Sequence, residues 1–487
     1  MFKKSYIGNG ILDFIKTNNE KIALILFCIG LFILSIGLSA IESDAFILRV
    51  QTLFHIGGVL FILCNYKKFC KDDFKILFIP TLCCIVLVIL GMLTYFDTIM
   101  PPKSFGSLFK SINQHIIGYF AFFILCYFFA RYAKREIIII LLTFFGIVCF
   151  MNVFAMIYLA IKYGFYHNTF HYNIPFFFPG ISVYNIWIIA PLSISIAGIW
   201  AFKNIKIKFL FIITLILSIL AMLSNGERSF FIAFIVIIFT PFFMWQYKHK
   251  IKILGILFIF LVLLFCLIYH ISKDLPPRYD IAHMIDNIST VWDTAPIEMG
   301  KYDEFCFNGK LNCSKESIQN GISNITWEHS SLSRIAMNKS TLLAFLDEPF
   351  KPHITNIFAI SPYLYNYFNL NNSNNKVYFN AKGDIYKDII DDYNGYNHPH
   401  NHILSLLFMY GAIGFIFIVL STVYMIYSGY RAIKLFNNRF LALIFCLMII
   451  GIFICSLFDM LRSIMLEPLS IIFGILLGSL YNKQIYK

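Results

Sequence analysis

Residues 394–415 read NGYNHPHNHILSLLFMYGAIGF. Three histidines at alternate positions, His398, His400 and His402, stand at the lip of an apolar run that carries glycines three apart, Gly411 and Gly414. Upstream lies a long polar segment, downstream a hydrophobic stretch of helix length. The reading of His400, as a catalyst, a metal ligand or a residue at a water–lipid boundary, therefore depends on which solvent surrounds each side.

Composition answers the question of solvent. The chain has 487 residues, 59% of them hydrophobic and only 13% charged, with 55 phenylalanines and a mean hydropathy of +0.74. That much apolar surface does not fit inside a water-soluble globule, and an all-α integral membrane protein is expected. A bilayer core needs about 20 apolar residues per helix, and about twelve transmembrane helices are predicted. Their centres fall near Leu31, Gly57, Val86, Phe123, Val148, Pro191, Leu215, Ile235, Phe260, Ile416, Leu447 and Phe473. Lys3 and Lys4 precede the first span, but no small-residue cleavage site follows it, so no cleaved signal peptide is expected.

The formal charge of +13 is placed by topology. If sides alternate, one set of loops holds clusters such as Lys67, Lys68 and Lys71, or Arg131, Lys134 and Arg135, while the opposite short loops are nearly bare. By the positive-inside rule both termini are cytoplasmic, and the basicity is a topology signal rather than a nucleic-acid surface. The chain then divides into a membrane region of about nine helices over 1–271, a loop domain over 272–401, and a membrane region of about three helices over 402–487. The large loop precedes the tenth helix and faces the non-cytoplasmic side; its length implies structure of its own. Within it SSLSRIAMNKSTLLAFL, residues 330–346, puts Leu332, Ile335, Ala336, Leu342, Leu343 and Leu346 near helical spacing, with Ser330 or Ser331 as N-cap.

Cysteine usage agrees with that assignment. Of twelve cysteines nine lie within or beside apolar spans and Cys70 is in a basic loop, leaving Cys306 and Cys313 as an isolated pair in EFCFNGKLNCS. A disulfide between them, closing around the turn signal Asn308-Gly309, is expected in an oxidising compartment.

Span count alone would also suit a transporter. The span centres, however, carry almost no charge and show no internal repeat; Asp459, Glu467 and Arg49 sit near span ends and read as interfacial anchors. Polar mass gathers on one side, as in an enzyme working at a membrane surface. Two arginines stand there: Arg228 in the short outward loop of LSNGERSFF, and Arg334 in the predicted loop helix. A fixed guanidinium binds phosphate oxygens bidentately, whether of a diphosphate substrate or of a lipid headgroup.

Pro399 interrupts the H-x-H-x-H run, no cysteine is near, and Asp391 and Asp392 are the only carboxylates close by, so no metal site is expected. Asn401 can cap the first turn of the span and hold His400 just outside the bilayer, with Gly411 about 16 Å deeper and on one helix face with Gly414 for close packing. An imidazole of ordinary pKa, about 6.5, can take a proton from a hydroxyl near neutral pH.

His400-Asn401, nine residues, Gly411, two residues, Gly414 spells H-[NSQ]-x9-G-x-x-[GTY]. In this pattern the chain resembles the O-antigen ligase family, and more distantly the O-antigen polymerases and O-linked oligosaccharyltransferases that share its periplasmic-loop region. The likeness runs from Arg228 to the C-terminal spans. It implies a GT-C-like membrane glycosyltransferase of the bacterial inner membrane, with the active site facing the periplasm. Such enzymes move a glycan from undecaprenyl diphosphate to a core sugar of lipid A in lipopolysaccharide biosynthesis, with no cofactor or required metal. It further implies His400 as catalytic base, Arg228 and Arg334 gripping the leaving diphosphate, Arg49 as a weaker candidate for the same surface, and inversion at the anomeric carbon. Two departures stand out: Glu227 precedes Arg228, and Pro349 is followed by FKPHITNIF without the family's glycine pair. Glycan polymerisation, transfer to protein and glycan transport are the alternative readings.

Overall fold

The computed structural model describes residues 6–36, 44–97, 102–163, 181–225, 228–244, 250–272, 285, 288, 292, 329–353, 360, 363, 399–436, 438–458, 461 and 463–485. Among the described residues the regular structure is helical and there is no strand. The α-helices are α1 (Tyr6–Ile36), α2 (Asp44–Asn65), α3 (Lys71–Leu93), α4 (Phe105–Ile112), α5 (Gly118–Tyr132), α6 (Arg135–Tyr163), α7 (Ile181–Ala201), α8 (Ile205–Asn225), α9 (Arg228–Met244), α10 (Lys250–Ser272), α11 (His329–Asp347), α12 (His402–Phe436), α13 (Arg439–Ser456) and α14 (Ser463–Tyr481). All twelve span centres expected from hydropathy fall inside helices. Among the described residues six helical stretches are long and apolar enough to cross a membrane: Lys71–Phe96, Phe105–Tyr132, Arg135–Lys162, Ile205–Leu223, His402–Leu435 and Arg439–Ser456.

Local rules explain where these helices start and which faces they bury. At α3 the Cys70 N–H donates to Asp73 Oδ2 at 3.0 Å, and at α13 the Leu441 N–H donates to Asn438 Oδ1 at 3.2 Å, two caps on orphan amides. From Leu441 to Ile449 every side chain of α13 is buried, as expected of a helix apolar all round at the centre of a bundle. Between α5 and α14 the backbones themselves approach. A Cβ on Gly474 would lie 2.4 Å from the Phe123 carbonyl oxygen, and one on Gly478 2.3 Å from that of Tyr127. This is small-residue packing at four-residue spacing.

Contacts at the helix ends define two ends of the bundle. At one, Asp73 is buried and accepts from Arg131 Nε at 3.0 Å and the Tyr127 hydroxyl at 2.9 Å, with the Tyr132 hydroxyl on its other oxygen. Asn482 Nδ2 donates to Ala130 O and Ala133 O, each at 2.9 Å, tying the end of α14 to the same place. Helix α12 runs antiparallel to α3. Its Gly414 faces Leu90, while the Tyr424 hydroxyl donates to Lys75 O at 2.7 Å nearer the Asp73 end. The opposite end, where α3 finishes and α12 begins, carries a second apolar core that includes Leu90, Ile112, Met337, Ala344 and Phe408.

Three expectations are revised. The loop helix exists as α11 but begins at His329, so Ser330 and Ser331 lie inside it rather than at its cap. Its buried face is Met337, Ser340, Thr341 and Ala344, while Leu346 is 57% exposed. Glu467, 6% exposed, is inside the bundle and not an interfacial anchor. Cys306, Cys313 and Asp459 lie outside the described residues, as does most of the segment 272–401.

Candidate functional site

The site is built on the first turns of α12. Pro399 is buried and His400 half-buried. His400 has φ +47°, and among the described residues it alone of the non-glycines has positive φ. A left-handed residue turns the chain sharply but is strained by roughly 1–3 kcal/mol, so surrounding structure must hold it there. Asn401 does so from the next position: its Oδ1 accepts from the Leu404 N–H at 2.9 Å. Its carbonyl accepts from the Ser405 N–H at 3.0 Å and from Ser405 Oγ at 2.8 Å. His400 is thus the residue immediately before the N-cap of α12.

Ten residues after Asn401 the helix breaks. Gly411 has φ +64° and ψ 179°, a region essentially reserved to glycine. The expectation that Gly411 and Gly414 share one face of a continuous helix is therefore corrected. The break admits the segment that follows α11. Ala412 N–H donates to Pro349 O at 2.8 Å and His353 N–H donates to Met409 O at 3.1 Å, replacing bonds that a continuous helix would make. A Cβ on Gly411 would sit 3.1 Å from the Phe350 carbonyl carbon and oxygen. Gly414 follows from the break: the displaced preceding turn brings Tyr410 Cβ to 2.4 Å from where a Cβ on residue 414 would be. The glycine spacing encodes a kink and the room that the kink requires.

Behind the break lies a cluster the sequence reading did not find. His353, 3% exposed, stacks on Phe408 with centroids 4.4 Å apart and planes at 7°. Its Nδ1 is 3.5 Å from Asp97 Oδ2 and its Nε2 4.0 Å from Glu348 Oε2. Both distances are longer than an ordinary hydrogen bond. Glu348 is also paired with Lys351 at 2.8 Å. The Tyr363 hydroxyl donates to His353 O at 3.3 Å and bonds to Asp97. Burial, then the Asp97 charge and the hydrogen bond to it, push the Tyr363 hydroxyl well above the usual phenol range, so it remains a donor. Asp97 and His353 are far apart in sequence, and His353 lay in the stretch noted only as a departure from a glycine pair. No local pattern joins them.

The arginines are placed by their backbones. Arg228 is the first residue of α9 and Arg49 lies near the start of α2. Cys455 Sγ contacts Ser229 O at 4.0 Å near the end of α13. Asn65, at the far end of α2, bonds Asn19 close to the Asp73 end. Alternation of the helices thus puts Arg49 and Arg228 at the same end of the bundle as His400. Arg334 is half-buried on α11, whose Met337 and Ala344 pack into the core at that end. Among the described residues no group of three His, Cys, Asp or Glu side chains is arranged to hold a metal; His398 lies outside them.

Long apolar helices define a multi-pass membrane protein, with the backbones of His400 and the candidate arginines at one end of the bundle. Residues 213–419, a little under half of the chain, match the family model described as O-antigen ligase, which supports membership of that family. The matched segment contains Arg228, Arg334, His400, Asn401, Gly411 and Gly414 but not Arg49 or Asp97. No curated protein matches the chain. The match supports an activity of the general O-antigen ligase or polymerase type.

Proposed function

We propose that the protein is a membrane glycosyltransferase that joins a glycan carried on undecaprenyl diphosphate to lipid A-core. The observation that carries this reading is His400 held at φ +47° directly before the Asn401-capped helix. That arrangement projects one imidazole from a rigid element at the end of the bundle where the arginines stand. His400 takes the proton of an acceptor sugar hydroxyl. The freed oxygen attacks the anomeric carbon from the face opposite the diphosphate, the bond from that carbon to the diphosphate oxygen breaks, and the configuration inverts. Arg228 and Arg334 hold the departing diphosphate, with Arg49 on the same surface. The reaction needs no metal or nucleotide.

In this reading about twelve helices cross the bacterial inner membrane, both termini are cytoplasmic, and 272–401 forms a periplasmic domain between the membrane regions 1–271 and 402–487. The test is transfer by purified, reconstituted protein, in EDTA, from a polyprenyl-diphosphate glycan to lipid A-core or to peptide. A His400-dependent shift of glycan onto lipid A-core is expected. Wild-type turnover by His400→Ala would end the assignment of the base. Glycan growing on its own carrier would mean a polymerase, glycosylated peptide an oligosaccharyltransferase, and no covalent product a transporter. Arg228→Lys is expected to fail nearly as badly as Arg228→Ala, because an ammonium cannot reproduce the bidentate fork; full activity with Lys would favour a lipid anchor.

A further inference from the structure

The buried Asp97–His353 contact lies outside the roles assigned above, and its position suggests what it does. Helix α12 is regular from its cap at Asn401 to Met409, and regular again beyond Gly411. At the break its angle is set by the segment 349–353, which takes the Ala412 N–H on Pro349 O and gives the His353 N–H to Met409 O. Whatever fixes this strap fixes the direction in which the first part of α12 points.

The strap is fixed chiefly at His353. Its ring lies flat on Phe408, a residue of the first part of α12, and the Tyr363 ring meets it edge-on at 5.2 Å. Its Nδ1 faces Asp97 at the end of α3, a carboxylate with no exposed side-chain surface. A buried carboxylate needs a partner. The titratable groups described around His353 are Asp97, Glu348 and Tyr363, and Glu348 is already engaged by Lys351. The strap is thereby tied on one side to α3 and on the other to the helix that begins beside His400.

We infer that Asp97 and His353 form a buried positioning pair, which acts through the 349–353 strap to set the angle of the helix segment presenting His400. The inference rests on the reading of His400 as the base. Neither residue is assigned contact with a substrate. Their effect therefore falls on the rate of the bound complex rather than on donor affinity.

The experiment uses full-length protein in proteoliposomes with the lipid-linked glycan and lipid A-core. His353→Phe retains a ring for Phe408 but no nitrogen for Asp97, and Asp97→Asn retains shape while removing the charge. Each is expected to lower kcat by about 10²-fold, the scale of a small misplacement of a reacting group, with KM for the donor little changed. His353→Gln, whose amide can still donate to Asp97, is expected to recover part of the loss. If His353→Phe does not yield monodisperse protein, Asp97→Asn decides. Wild-type kcat in the folded variants, or a loss that appears in donor KM with kcat retained, overturns the pair. His400→Ala, measured alongside, separates the two failures. If it is inactive while Asp97→Asn and His353→Phe turn over normally, only the positioning pair is lost; if it is active, the base and the pair fall together.

Discussion

Gly411→Ala tests the kink directly. In the observed conformation the substitution puts a non-glycine residue at φ +64°, ψ 179°, a strain of roughly 1–3 kcal/mol. The new Cβ would meet backbone atoms of Phe350 at 3.1 Å and Pro349 O at 3.2 Å, so relief requires moving the strap, an overpacking cost of about 1–3 kcal/mol. The Ala412 to Pro349 bond at 2.8 Å would be lost with that movement, a further cost of about 1 kcal/mol. Together these come to about 3–7 kcal/mol. The chain can evade the strain by closing the break into regular helix. Ala412 N–H would then turn to the Phe408 carbonyl, the strap would lose both its anchors on α12, and the segment 402–410 would swing. Either route displaces His400, and glycan transfer is expected to fall about 10²-fold or more, with a lower unfolding midpoint in detergent. Ile413→Ala, at a 43% exposed position on the same turn, is the control and should leave transfer near wild type. Wild-type turnover and midpoint in Gly411→Ala would refute the claim that the glycine encodes a required break.

Asn401→Ala removes the cap on Leu404 N–H and should cost about 1 kcal/mol of stability, with a larger proportional loss in kcat than in unfolding midpoint; unchanged kcat would separate the cap from the site. Arg131→Met leaves the Asp73 carboxylate, with 1% of its side chain exposed, without its cation. Thermal unfolding should register about 3–5 kcal/mol, and a variant with both Arg131→Met and Asp73→Leu should be less damaged than the single one. A result as stable as wild type for the single variant would mean that the pair contributes nothing at that end. Cys306 and Cys313 are expected to form a disulfide in protein exported by an oxidising route, and mass spectrometry of non-reduced protein that finds both thiols free would reject it.

How much was legible in advance follows from the range of each interaction. Every centre expected from hydropathy, from Leu31 to Phe473, lies in a helix, because a segment suited to lipid must satisfy its own backbone and be apolar along its whole length. Such a signal is contained within about 20 consecutive residues. The cap at Asn401 was legible for the same reason, since an N-cap bonds an amide three residues away. The face of α11 was misjudged: its leucines suggested one stripe, but what buries Met337 and Ala344 is a core assembled from other helices.

The sequence by itself determined the solvent, the helical class, the family pattern and the residues on which the chemistry is proposed to turn, each of them a matter of composition or of spacing along one segment. Only the tertiary structure decided what the glycines are for. Gly411 breaks the helix because Pro349 and His353 supply its missing partners. Gly414 makes room for the turn that the break displaces. His353 faces an aspartate that lies just beyond the end of α3. Those contacts join residues far apart in the chain, and packing that brings them together leaves no periodicity in any one stretch for a sequence to display.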